Sequence, residues 1–248
     1  MSTTTSPQQV DPKDPSNYQG EEMTLIDHLA ELRNRLIKVS IAVVLGMVFA
    51  FVFIRDIIQA LADIVPQYRL QAIDPTETFS TYMKVAFVCG LGIAMPLIVY
   101  QLFAFVSPGL TSKERGYIIR ALPFVMIMFV CGVAFGYFLA LPPAITFLFG
   151  LGGSEIEKNP RISTYANFVI NLLLWLGVAF ETPVLVYMLI KTNLVTHRKL
   201  AGLRRYAVIV ILIAAAIITP TPDPGNLMIV AIPMYLLFEL GLILGRFF

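Results

Sequence analysis

The sequence predicts an all-α polytopic membrane protein of six transmembrane helices with both termini on the cytoplasmic side. Three observations carry that expectation. The chain of 248 residues is 57% hydrophobic and 14% charged, with a mean hydropathy of +0.77, well outside the range of a soluble globular domain. Its charges fall between long apolar runs, most of which approach or exceed the roughly 20 residues a helix needs to cross a bilayer. Basic residues divide unequally about those runs, twelve on one side and five on the other, and the positive-inside rule makes the richer side cytoplasmic. The net charge of +2 says little about partners, because placement outweighs the sum, and no nucleic-acid partner is expected.

Residues 1–20 are rich in Ser, Thr, Pro and Gln with no apolar run, so a disordered cytoplasmic tail is expected there, with the membrane domain filling 21–248. The tail lacks the basic start and short apolar core of a cleavable signal, and Asp11, Asp14, Glu21 and Glu22 argue against an organelle transit peptide. Thr24 and Asp27 resemble a capping box with Asp in place of Glu or Gln. A helix from there to Lys38 lines up Leu25, Leu29, Leu32 and Leu36, an amphipathic lead running into the first span.

The six spans read as Leu36–Ile54, Phe79–Val106, Tyr117–Leu141, Ala166–Ile190, Tyr206–Ile218 and Leu227–Gly245. In the first outer connection Ile57, Ile58, Leu61 and Val65 have helical spacing, which predicts a short helix on the outer face. Pro142-Pro143 is expected to end or kink the third span, with Ala144–Leu151 continuing as an apolar segment. These two segments either cap the outer side together or lie separately at the interface; the sequence leaves both open. Spans five and six read as a short hairpin. Tyr206–Ile218 makes only about 20 Å of helix against a hydrocarbon core of about 30 Å. Pro220, Pro222 and Pro224 stop it, and Pro233 lies inside span six. Either the bilayer thins there or neighbouring helices shield the ends.

Cys89 and Cys131 lie within spans and read as small apolar fillers, and His28 and His197 stand too far apart for a metal site. No cofactor or metal is expected. Glu181 is the residue that composition does not explain. It lies about 15 Å of helix before Lys191, at a depth where an ionisable group costs several kcal/mol and should face the bundle interior. Pro183 has no N–H for the carbonyl of Ala179, which frees that oxygen for a polar partner. The alternatives for Glu181 are a functional group and a neutral carboxyl acting as interhelical glue. Glu239, nearer the cytoplasmic end, reads as a structural partner of Arg246. A faint internal echo links Leu91-Gly-Ile-Ala-Met-Pro96 with Leu176-Gly-Val-Ala-Phe-Glu-Thr-Pro183, through duplication or through shared packing demands on Gly and Pro.

Two further carboxylates flank the cytoplasmic face. Glu31 sits in His28-Leu-Ala-Glu-Leu-Arg-Asn-Arg35, and Glu114 in the charged loop Phe105-Val-Ser-Pro-Gly-Leu-Thr-Ser-Lys-Glu-Arg115. Such a pair suits a guanidinium, the cation a carboxylate holds through two parallel bonds. On the residues alone, an i,i+4 pair of Glu31 with Arg35 and a solvated Glu114 explain them as well.

The order of these motifs, together with Phe180-Glu-x-Pro183, Thr219-Pro-x-Pro-Asp223 and Ala231-Ile-Pro-Met-Tyr-Leu-Leu-Phe-Glu239, resembles the TatC family, the signal-receptor subunits of the twin-arginine protein translocase. The resemblance covers Met23 to Phe248. It implies a concave, glove-like six-span bundle in the prokaryotic cytoplasmic membrane and signal peptides with paired arginines as ligands. It also implies single-span TatA- and TatB-type partners and self-association in a larger complex. By position, Glu31 and Glu114 match the acidic residues that hold the arginines, and Arg33, Phe105, Pro108, Leu110 and Arg115 match residues shaping that site. Glu181 with Pro183 matches the polar position of the concave face, and Asp223 matches an acid of the last outer loop. Gly116 replaces a second basic residue, and Asn226-Leu227 replaces a frequent Gln. A secondary transporter or channel using Glu181 as an ion site is the alternative, although only Asn167, Asn171 and Thr182 offer polar company. No His-Glu-x-x-His or Gly-x-Ser-x-Gly motif marks an enzyme.

Overall fold

The computed structural model describes residues 25–66, 68, 70–106, 112–150, 159–192, 194–219 and 223–247. Among these, every regular element is helical apart from one isolated bridge between Gln71 and Arg161. Helix α1, Leu25–Val52, is unbroken, so the amphipathic lead and the first span are one rod; Thr24 lies outside the described residues. α2, Ile54–Ala62, is the short helix expected in the first outer connection. α3 spans Glu77–Val106 and runs antiparallel to α1. Gly46 and Gly90 let the two backbones touch: a Cβ on Gly46 would lie 2.8 Å from the Gly90 carbonyl oxygen, and one on Gly90 would lie 2.6 Å from the Met47 nitrogen.

The antiparallel order gives the bundle two ends. Glu31, Phe105 and His197 belong to the proximal end, and Asp74, Pro160 and Asp223 to the distal end.

α4, Ser112–Phe135, passes through one π turn, Gly136–Ala140, into α5, Leu141–Gly150. The expected break at Pro142-Pro143 is therefore a widened turn, because the two prolines have no N–H to return to the preceding carbonyls. The Leu141 N–H reaches back to the Gly136 oxygen, and the helix continues past both rings. The distal segments assemble rather than lying apart. Tyr137 Oη donates to the Ala60 oxygen at 3.0 Å, and Tyr165 Oη to the Leu61 oxygen at 2.8 Å. Both bonds satisfy terminal carbonyls that α2 cannot serve itself. Tyr68 stacks on Phe149 with centroids 4.5 Å apart.

A second clasp ties the first distal connection to the start of α6, Ile162–Phe180. Buried Glu77 accepts from the Ile73 and Ser163 backbone nitrogens at 2.8 and 3.1 Å and from Arg161 Nε at 3.0 Å. Arg161 also pairs with Asp74. Main-chain bonds from Gln71 to the Pro160 oxygen (3.1 Å) and from Ile162 to the Gln71 oxygen (2.9 Å) complete it. The Arg161 cation is strengthened by this setting, first by its hydrogen bond to Glu77 and then by the Glu77 charge.

α7 (Thr182–Lys191) follows α6 after a single residue; α8 (His197–Gly202), α9 (Arg204–Ile218) and α10 (Pro224–Phe247) close the chain. Five stretches are long and apolar enough to cross a membrane: His28–Val52, Glu77–Phe105, Gly116–Gly150, Ile162–Lys191 and Pro224–Arg246. α9, with 15 residues, is short as expected. α10 is not: its 24 residues exceed the Leu227–Gly245 reading, because Asp223 accepts from the Asn226 N–H at 3.0 Å and Pro224 opens the helix. The two glycines of the echo noted above share a packing partner. The Phe129 ring of α4 is wedged between Gly92 and Gly177, where added Cβ atoms would lie 2.7 and 2.6 Å from its edges. Of the two cysteines, Cys89 is half-buried while Cys131 points outward from α4.

Candidate functional site

The crossing of α1 with the last turns of α3 builds the proximal site. His28, Glu31 and Arg35 lie within two turns of one another and face α3. The His28 ring stacks on Phe105, centroids 4.3 Å apart and planes 15° from parallel. Arg35 Nε donates to Glu31 Oε1 at 3.0 Å, its Nη2 pairs with the same oxygen, and its Nη1 donates to Gln101 Oε1 at 3.1 Å. Glu31 Oε2 is buried with no hydrogen-bond partner among the described residues; His28 Nδ1 lies 3.9 Å from it. Glu31 and Phe105 are thus brought together through His28, and the i,i+4 pairing of Glu31 with Arg35 is real.

Arg33 stands apart from them. Two residues on, it points about 200° around the helix from Glu31. There it is exposed and lines an open groove of about 400 Å³ with Leu29, Leu32 and Leu36. Glu114 and Arg115 fall in the first turn of α4, where the helix dipole favours an acid. Their side chains, and Pro108 and Leu110 altogether, lie outside the described residues.

Two-thirds of the way along the α6–α7 stretch, Glu181 is 1% exposed and neither carboxyl oxygen has a hydrogen-bond partner among the described residues. It occupies the break between two helices. Its N–H bonds to the Val178 oxygen at 3.1 Å, and its carbonyl accepts from Leu185 at 2.9 Å. The freed Ala179 carbonyl is taken by Thr182 Oγ1 at 2.6 Å, as the missing Pro183 N–H required. Buried Pro183 is approached closely by α10, where a Cβ on Gly241 would come within 2.9 Å of its Cα. Asn171 lies ten residues away on α6, about 15 Å along the axis, and is exposed, so the scarce polar residues do not converge on Glu181.

Asp223 caps α10 and borders an open groove of about 650 Å³ with Thr146 and Asn226. Glu239 pairs with Arg204 of α9 at 2.9 Å and accepts from Tyr235 at 3.0 Å. Sequence reasoning missed Gln101, whose side-chain partner is 66 positions away, and the Glu77–Arg161 clasp, whose halves are 84 apart. No local periodicity signals either. Among the described residues no group of three or more His, Cys, Asp or Glu could hold a metal ion.

The family model for TatC, the Sec-independent protein translocase protein, matches residues 27–233. The Sec-independent protein translocase protein TatC of Carboxydothermus hydrogenoformans is 36% identical over 227 residues, covering 91% of this chain and 93% of that one. Its counterpart from Deinococcus radiodurans is 37% identical over 235 residues, covering 90% and 86%. A crystal structure of a twin-arginine translocase receptor, TatC, matches with a TM-score of 0.71 at 36% identity, over 88% of this chain and 98% of that one. A likeness that runs through the Glu31 helix, the Glu181 break and the capped start of α10 alike has one meaning: the chain belongs to the TatC family of Sec-independent protein translocase proteins.

Proposed function

We propose that this chain is the receptor subunit of a twin-arginine translocase in a prokaryotic cytoplasmic membrane, a transport component rather than an enzyme. Its proximal end and both termini face the cytoplasm. There Glu31 and Glu114 hold the paired arginines of a signal peptide, beside Phe105 and in a setting shaped by Arg33, Pro108, Leu110 and Arg115. Once the signal inserts, Glu181 and the Pro183 break meet either the signal hairpin or a single-span partner of the TatA or TatB kind. Asp223 serves the opposite face, and copies of the chain associate in the assembled translocase.

The observation that carries the reading is Glu31, half-buried yet with one carboxyl oxygen uncommitted, on a face that α3 supports through Phe105 and Gln101 in a TatC-family chain. Charge-assisted bonds contribute about 1.5–3 kcal/mol each, and the planar guanidinium fork separates Arg from Lys where charge alone does not. The ion-carrier alternative gains no support, since no polar side chain among the described residues bonds Glu181. The test is binding of Arg-Arg and Lys-Lys signal peptides to the purified full chain. Glu114→Gln is expected to weaken Arg-Arg binding about tenfold or more, and Glu31→Gln less, because Arg35 already engages that carboxylate. Wild-type affinity in Glu114→Gln, or equal binding of the two peptides by the unmodified chain, removes the assignment.

A further inference from the structure

Glu31 already carries an arginine. We infer that Arg35 is an intrachain competitor for the signal arginine and that Gln101 holds it in readiness, so that the pair sets a threshold favouring Arg over Lys. The inference rests on the proposed reading of Glu31 as a signal-binding carboxylate. The side chains of Arg35 and Glu31 are only 20% and 23% exposed, so the pair is not a loose surface contact. Three guanidinium nitrogens are committed: Nε and Nη2 to Glu31 Oε1, and Nη1 to the buried Gln101. An ordinary i,i+4 pair needs no third residue from another helix. Gln101 supplies a neutral acceptor that lets Arg35 leave Glu31 without losing every bond.

The occupancy is lopsided. Both Arg35 contacts fall on Oε1, while Oε2 is buried and without a hydrogen-bond partner among the described residues. A carboxylate accepts a guanidinium best with both oxygens. An incoming signal arginine therefore gains its full pair of bonds only by displacing Arg35. An ammonium, a point charge without a fork, gains little from that exchange. Competition of this kind raises specificity by penalising the wrong ligand more than the right one. The fork geometry, not net attraction, then decides entry.

The test measures Arg-Arg and Lys-Lys signal-peptide affinity in the full chain for wild type, Arg35→Gln, Arg35→Lys, Glu31→Gln and Glu31→Gln/Arg35→Gln. Removing this largely buried ion pair should tighten Arg-Arg binding about two- to fivefold and Lys-Lys binding by more, so that the ratio between them narrows. In the Glu31→Gln background the Arg35 change should have no effect, because its target is gone. If Arg35 merely orients Glu31, Arg35→Gln weakens both peptides alike, and that result overturns the inference, as does unchanged binding in a folded variant. Should Arg35→Gln not fold, Arg35→Lys decides: it should move affinity and ratio the same way by less, and wild-type values sink the idea. Wild-type binding in Glu31→Gln would instead remove the site reading beneath it.

Discussion

Glu181 brings a carboxyl group to a buried place where neither oxygen has a hydrogen-bond partner among the described residues and only the Phe129 backbone N–H stands near, which costs folding energy and gives the fold little in return. Replacing such a group with an apolar side chain of similar size is often neutral or stabilising. Glu181→Leu is therefore expected to keep or raise thermal stability, by up to about 1–3 kcal/mol, and to leave signal-peptide affinity unchanged while lowering transport or partner assembly. Thermal unfolding of the purified chain beside a transport assay separates the possibilities. A destabilised variant would make the carboxyl a brace for the break, and normal transport would strip it of any role. The burial and the freed Ala179 carbonyl were legible in the sequence because an intramembrane charge and a helix-interior proline each have few solutions, whereas the division of one expected span into two helices was not. The Arg35 half of the Glu31 site was legible as an i,i+4 pair, but Gln101 was not, since only the α1–α3 crossing brings it near. Asp223 shows the reverse failure. Asp-Pro before an apolar run is a helix-start signature, yet the loop reading hid the cap that the structure gives it.

At the scale of elements, the long apolar runs and the short α9 were readable because length and charge spacing report them directly. What stayed hidden was how helices grip one another. The echo around Gly92 and Gly177 acquires meaning once Phe129 is seen between them. Two small residues on α3 and α6 accept one ring from α4, and Phe129 is only 8% exposed, so the ring has little room to turn away. Gly177→Ala would place a methyl 2.6 Å from Phe129 Cε2, and overpacking of that kind costs about 1–3 kcal/mol. The expected signature is coupling: Gly177→Ala lowers the unfolding midpoint, and adding Phe129→Leu, which shortens the wedge, recovers part of the loss. Additive losses in the double variant would show that the three helices relax independently of the ring. The π turn before Pro142-Pro143 was likewise only half legible, because two prolines announce a defect without saying whether the helix ends or widens.

For the molecule as a whole, the antiparallel order of helices puts Ala72 and Thr196 at opposite ends, with the Glu77–Arg161 clasp closing one of them. Which end faces the cytoplasm is a matter of charge, and the twelve basic residues about the proximal connections against five about the distal ones, Lys13 of the tail aside, favour the proximal end. The weak link is α9. Its 15 residues reach about 22 Å, short of a hydrocarbon core of about 30 Å, so a re-entrant helix and five true spans are the rival arrangement. It crosses, we argue, because α9 packs along α10 and reaches α6 and because Arg204 at its start pairs with Glu239 in the proximal half of α10. The two helices therefore share an end. With Cys89 and Cys131 replaced by alanine, single cysteines at Thr196, Ala72 and Pro224 decide the matter through a membrane-impermeant thiol reagent. Thr196→Cys should label only from the cytoplasm, and Ala72→Cys and Pro224→Cys only from the opposite side. Cytoplasmic labelling at Pro224 as well as Thr196 would reduce the chain to five spans, whereas reversal at all three positions would keep the fold and invert its orientation.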